Sequence, residues 1–235
     1  MGSSDSGTLK RAAAAPAATD TKNTLPPTTR KLVFEDNFNG TKVDRTAWNL
    51  YRSPGHDGFG LRRPSAFSVE DGKLVITAKM RDGEIVSGGM SNKLDHKYGR
   101  YVVRVRTETD PTATMSGVAL TNPDVRVAEH TENDWYETGH RPSRKPFYSY
   151  IHYGVENNQV RFKHDADASE WHVMVMDWSR DSIKLYRDGK FIAETRNRTA
   201  IPDVKMHACL QLDAFADNTL KGPVRMFVDY IRIYH

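Results

Sequence analysis

The chain has 235 residues, a formal charge of +4 and 38% hydrophobic residues, which suits one large domain. Acidic and basic groups interleave with no basic run, so nucleic acid is a poor partner, and no apolar run nears the roughly 18 residues that span a membrane. Cys209 is the only cysteine, which excludes an intrachain disulfide and a multi-cysteine zinc site; it sits in an apolar run, Met206–Leu212, that reads as a buried strand.

Residues 1–30 are rich in Ala, Thr, Ser and Pro with almost no large apolar side chain. They cannot bury enough surface to order themselves, so a disordered leader or linker is expected there. From residue 31 to 235 the chain reads as strand after strand in a single domain. Lys73–Lys79, Arg100–Arg106, Ser182–Tyr186 and Val228–Tyr234 largely alternate apolar and polar residues at period two. Asp71-Gly72, Asp82-Gly83 and Asp188-Gly189 sit between such runs and predict tight hairpins, because both residue types tolerate positive φ. No long amphipathic helix and no internal repeat stands out. The expected architecture is all-β, a two-sheet antiparallel sandwich of jelly-roll type.

Residues 132–137, Glu-Asn-Asp-Trp-Tyr-Glu, carry the chemistry. Glu132 and Asp134 are two apart and share a strand face, whereas plain alternation sends Glu137 to the other side. A one-residue β-bulge after Asp134 brings it back, and bulges often lie beside active sites. Three like charges this close cannot all ionise easily, so one carboxyl is expected to keep its proton. An ionised carboxylate beside a protonated one is what a retaining glycosidase needs. A solvated acidic edge strand is the plain alternative, and the buried-type aromatics Trp135 and Tyr136 argue against it.

Several segments in order resemble glycoside hydrolase family 16, the laminarinases, lichenases, agarases and carrageenases. Phe34–Gly40 with Trp48-Asn49 resembles the family's opening F-x-D-x-F…W-N, and Val69–Ala78 its D-G-x-L-x-I-x-A hairpin. Ser87–Met90 with Tyr98–Tyr101, then Trp178 with Ser182–Lys190, and Phe227–Tyr234 resemble later strands. The resemblance implies a concanavalin A-like glucanase sandwich in which Glu132 is the nucleophile and Glu137 the general acid/base, with Asp134 holding the pair. The extra residue before Glu137, and Gly139-His140 after it, resemble the laminarinase-like branch. They imply an endo-acting β-1,3-glucanase and make His140 a substrate contact. Family members commonly carry Trp-Pro-x-x-Gly before the first glutamate, where this chain has Val127-Ala128-Glu129-His130-Thr131.

Tyr148, Tyr150 and His152 share one face of the following strand, either lining a cleft or packing in the sandwich. Trp171 and Trp178 lie an odd number apart and so on opposite faces of one strand; Trp178 suits the core and Trp171 sugar stacking. Arg62 or Arg63, in a Gly-rich loop at Ser53–Arg63, is placed to meet hydroxyls or an anionic sugar, or else solvent. No cofactor is required, and the resemblance allows a structural calcium at Glu35 and Asp229, where Asp229 has a plain inter-strand hydrogen bond as its alternative. The expected partner is a polysaccharide, and the expected state a secreted monomer. Two alternatives remain: hydrolysis of an agar- or carrageenan-type galactan, and a carbohydrate-binding sandwich without catalysis.

Overall fold

The computed structural model describes residues 25–123, 130–217 and 219–235. The expected leader over residues 1–24 and the stretch Val127–Glu129 lie outside the described residues. Strands β1 (Leu32–Asp36), β2 (Trp48–Leu50), β3 (Ser53–Pro54) and β4 (Leu61–Arg62) come first, then β5 (Phe67–Glu70) and β6 (Lys73–Arg81). They are followed by β7 (Glu84–Asn92), β8 (Gly99–Thr107), β9 (Met115–Asn122), β10 (His130–Glu137), β11 (Phe147–Gly154) and β12 (Asn158–His164). The last five are β13 (His172–Trp178), β14 (Ile183–Arg187), β15 (Lys190–Thr195), β16 (His207–Ala214) and β17 (Val224–Tyr234).

Two antiparallel sheets stack face to face. The back sheet runs β5-β6-β17-β8-β13-β14-β15, with β1 beside the C-terminal half of β17. The cleft sheet runs β2-β7-β16-β9-β10-β11-β12. The β6–β7 hairpin passes from one sheet to the other. All three Asp-Gly pairs turn as expected, with both residues at positive φ: Asp71 49° and Gly72 68°, Asp82 51° and Gly83 85°, Asp188 51° and Gly189 75°.

Period-two alternation sorts each strand between layers. Tyr101, Val103 and Val105 of β8 point into the space between the sheets, where they meet Trp135 and Ala119 from the cleft sheet and Met174 and Met176 from β13. Each such side chain contributes about 1.5–3 kcal/mol by leaving water. The other face of the back sheet carries a small cluster of Val102, Val173 and Val175. The other face of the cleft sheet carries Val118, Leu120 and the buried Cys209, with Phe215 against them. Gly88 and Gly89 of β7 show why successive residues must be small. A Cβ on Gly88 would meet Phe67 and Ile76 in the core at 2.8 and 2.9 Å, and one on Gly89 would meet Tyr51 at 2.6 Å and Arg62 at 3.1 Å on the cleft side.

Near the start, Asp36 receives Trp48 Nε1 at 2.8 Å and the Phe38 amide at 2.8 Å, tying the first strand to the second. Residues 25–30, expected as part of the leader, instead lie against the back sheet. Arg100 donates to the carbonyls of Pro26 and Pro27, and Arg30 donates to the Trp178 carbonyl at 3.3 Å.

Candidate active site

The bulge that the carboxylate spacing demands is present. Against β9, Asp134 pairs with Leu120 and Tyr136 with Ala119, so Trp135 is the extra residue. Against β11, the register likewise shifts between Asp134 and Glu137. Trp135 and Tyr136 therefore both turn into the core, and Glu137 returns to the cleft face with Glu132 and Asp134. Both aromatics are fully buried. Trp135 packs on Tyr101 across the sandwich at 5.8 Å, and Tyr136 bonds Thr107 Oγ1 at 2.9 Å.

The three carboxylates line a cleft of about 1000 Å³ together with Tyr150, His152 and Arg62. His152 stands opposite Glu132 in the register. Its Nε2 lies 3.0 Å from Asp134 Oδ2 and its Nδ1 2.7 Å from Asn157 Oδ1. Gln159 Nε2 also lies 3.5 Å from Nδ1, and the carboxylate at Nε2 favours the imidazolium form. Ligand atoms of Glu132, Asp134 and His152 all lie within 4.8 Å of one another. Glu132 also accepts a hydrogen bond from Asn122 Nδ2 at 2.9 Å.

Electrostatics separates the acids. Burial and the charge of Asp134 push Glu137 up to about 8, against the opposing pull of His152, Arg141 and Arg161. Burial, then the charge of Glu132, pushes Asp134 up to about 7, while its bond to His152 pulls the other way. Burial raises Glu132 as well, but the His152 charge and the Asn122 hydrogen bond work to keep it ionised. Burial alone would discharge His152; its bond to Asp134, the charges of Asp134 and Glu132 and its bond to Asn157 together outweigh that and lift the ring to about 9. At neutral pH burial holds the proton on Glu137, while at Glu132 the His152 charge and the Asn122 hydrogen bond oppose an upward shift to which the charge of Glu137 adds.

The remaining expected contacts divide. Tyr150 and His152 line the cleft. Arg62 lines it too, but its guanidinium is engaged by Asp213 through two bonds of 2.9 and 2.7 Å and by Gln211 at 3.2 Å. His140 is exposed, its ring 6.3 Å from that of Phe215. Trp171 is not brought to the cleft. It precedes β13, which belongs to the back sheet, so its non-core face is the far side of the molecule; Arg104 and Arg106 stack on it at 4.6 and 5.6 Å. Its parity relative to Trp178 is as expected, since Trp178 is fully buried, but parity does not say which sheet a strand joins.

Glu35 and Asp229, expected as calcium ligands, are each engaged by an arginine. Glu35 is bonded by Arg232 at 2.5 Å and Asp229 by Arg104 at 2.8 Å, so a guanidinium already supplies the positive charge at each. Not found in the sequence were Asn122, Gln211, Asp213 and Phe215, all of which line the cleft. Their strands meet β10 or lie beyond it only through long-range pairing. Phe215, stacked on His56 at 4.3 Å, provides an aromatic wall.

A two-sheet sandwich with three clustered carboxyls in an open, aromatic-edged cleft has the form of a carbohydrate-cleaving enzyme. Residues 60–230 match Glycosyl hydrolases family 16, and the chain belongs to that family. It is 26% identical to the glucan endo-1,3-beta-glucosidase A1 of Niallia circulans across 86% of this chain and 37% of that protein. The chain thus spans well under half the length of that relative. In three dimensions it resembles the laminarinase catalytic domain of Thermotoga maritima, with a TM-score of 0.74 at 21% identity over 87% of this chain and 98% of that one. It also resembles porphyranase B of Zobellia galactanivorans, with a TM-score of 0.76 at 20% identity over 91% and 97% of the two chains.

Proposed function

We propose that the protein hydrolyses β-1,3-glucan internally and with retention, by double displacement. The observation that carries this reading is the bulge at Trp135, which turns Glu137 onto the face of Glu132. Glu132 attacks the anomeric carbon while Glu137 gives its proton to the departing glycosidic oxygen, leaving a glycosyl ester on Glu132 and a free reducing-end fragment. Glu137, now ionised, takes a proton from water as that water attacks the same carbon from the side the leaving group vacated. The ester bond breaks, Glu132 regains its charge and Glu137 its proton.

Asp134 and His152 are positioning residues in this scheme. The imidazolium draws negative charge toward the Glu132 end of the cleft and leaves the proton on Glu137. The laminarinase likeness and the name of the Niallia circulans relative support β-1,3-glucan as the substrate. An enzyme on such a polymer meets it outside the cell, which favours secretion, with the monomer as the working unit.

Release of reducing ends from laminarin, lichenan, agarose and carrageenan tests the assignment. The expected result is hydrolysis of laminarin with a fall in viscosity that precedes the bulk of sugar release. Activity confined to a galactan would replace glucan as the substrate, and inertness toward all four would remove the hydrolytic reading.

A further inference from the structure

Beyond Glu137 the cleft face of β11 and β12 turns cationic. In their register Tyr150 faces Arg161 and Tyr148 faces Lys163, and directly paired residues share a sheet face. That face is the cleft's, because Tyr150 lines it. The Arg161 guanidinium lies 3.8 Å from the Tyr148 ring centre and 5.8 Å from that of Tyr150. Arg141, from the loop after Glu137, stacks on Tyr148 at 4.8 Å. Arg161 and Lys163 are exposed and Arg141 half-buried.

Most arginines of the sheet surfaces are paired with a carboxylate; Arg106, stacked on Trp171 and Phe227 on the back sheet, is an exception away from the cleft. Arg62, Arg100, Arg104, Arg225 and Arg232 are each paired with a carboxylate, of Asp213, Asp177, Asp229, Glu108 and Glu35 respectively. Among the described residues neither Arg141, Arg161 nor Lys163 forms an ion pair; Arg141 donates to the Pro146 carbonyl at 3.4 Å. Glu137 is the catalytic carboxyl that feels both arginines, and while it carries its proton it leaves them uncompensated. A guanidinium held over an aromatic ring has already lost much of its rotamer freedom and keeps N–H groups for an oxyanion.

We propose that Arg141, Arg161 and Lys163, gathered around Tyr148, form a subsite on the acid/base side of the cleft for an anionic substituent on the leaving sugar, either a sulfate ester or a carboxylate. The proposal rests on the hydrolytic reading above and adds the charge of the substrate to it. Arg62 does not share this role, because Asp213 compensates it.

The test compares kcat/KM on laminarin, sulfated laminarin and carboxymethyl laminarin for the wild type, Arg141→Ala/Arg161→Ala and Arg161→Lys. The ratio of charged to neutral substrate is the readout, since both substrates use the same carboxylates. At low salt the wild type favours at least one charged chain. The double variant loses about tenfold of that ratio, the order expected for charge-assisted hydrogen bonds, while Arg161→Lys keeps part of it. Salt at about 0.5 M erases the preference by screening. Preference for one derivative alone identifies the anion as sulfate or carboxylate. A wild type indifferent to charge, or a double variant whose losses are equal on all substrates, overturns the subsite. If none of the three is cut, the glucan reading fails on its own. Binding of carrageenan against agarose oligosaccharides then decides: charge-selective binding lost in the double variant upholds the subsite, and charge-blind binding overturns it.

Discussion

The two outer faces of the sandwich carry the same kinds of charged residue in opposite arrangements. On the back sheet, carboxylates meet arginines: Arg104 with Asp229, Arg225 with Glu108, Arg232 with Glu35. The Arg232 hydrogen bond holds Glu35 below the usual carboxylate range. On the cleft sheet, Glu132, Asp134 and Glu137 face one another in a buried setting and all move upward. Pairing makes a carboxylate an ordinary surface group, whereas burial beside like charge makes it a proton donor near neutral pH. Aromatics meet arginines on both sheets, Tyr148 beneath Arg161 and Arg141 on the cleft sheet as Trp171 beneath Arg104 and Arg106 on the back one. What separates them is the cleft, which Tyr150 and Phe215 line and Trp171 does not.

That contrast predicts where substitutions act. Replacing Glu132 by Gln is expected to lower kcat by about 10⁴-fold or more without loss of fold, as measured by laminarin hydrolysis and circular dichroism, because no other group takes the nucleophile's part. Trp135→Ala should cost about 3–5 kcal/mol in urea unfolding, since a fully buried bulge residue leaves a cavity under Asp134 and Glu137. A loss below about 1 kcal/mol would mean that the bulge is not held by its tryptophan.

Removing the imidazolium with His152→Ala withdraws a charge that lowers all three carboxyls. Glu132 then ionises at higher pH, and the acidic limb of the activity profile moves upward; an unmoved limb would detach His152 from the acids. Stability should follow the same protons. The folded protein holds His152 charged to about 9, so that contribution is whole below the unfolded value near 6.5 and is lost as pH rises through about 9. Asp134 and Glu137, pushed up to about 7 and about 8, act in the same direction, because the folded state keeps protons that the unfolded chain has released. The urea midpoint is therefore expected to fall between pH 5 and pH 9. On the back sheet, Arg225→Ala should cost under about 1 kcal/mol, since that pair is largely solvated.

Much of this was legible in the sequence where the signal is local. The Asp-Gly turns, the alternation of β8 and β17 and the bulge at Trp135 each follow from residues within a few positions of one another. Side-chain parity on β13 also read correctly, yet it put Trp171 in the cleft because membership of a sheet is decided by pairing with β8, far away in the chain. The same limit hid the Asp134–His152 pair and the Arg62–Asp213 pair, whose partners lie 18 and 151 positions apart in the numbering. Glu35 and Asp229 suggested calcium through the family resemblance, and the arginines opposite them could only be seen once the strands were paired.

The division of labour along β10 is tested most directly by trapping the covalent intermediate. A 2-deoxy-2-fluoro-β-laminaribioside with an activated leaving group should inactivate the enzyme, and mass spectrometry of the digested protein should place one glycosyl adduct on Glu132. An adduct on Asp134 or Glu137, or hydrolysis of that compound without any adduct, would contradict the account.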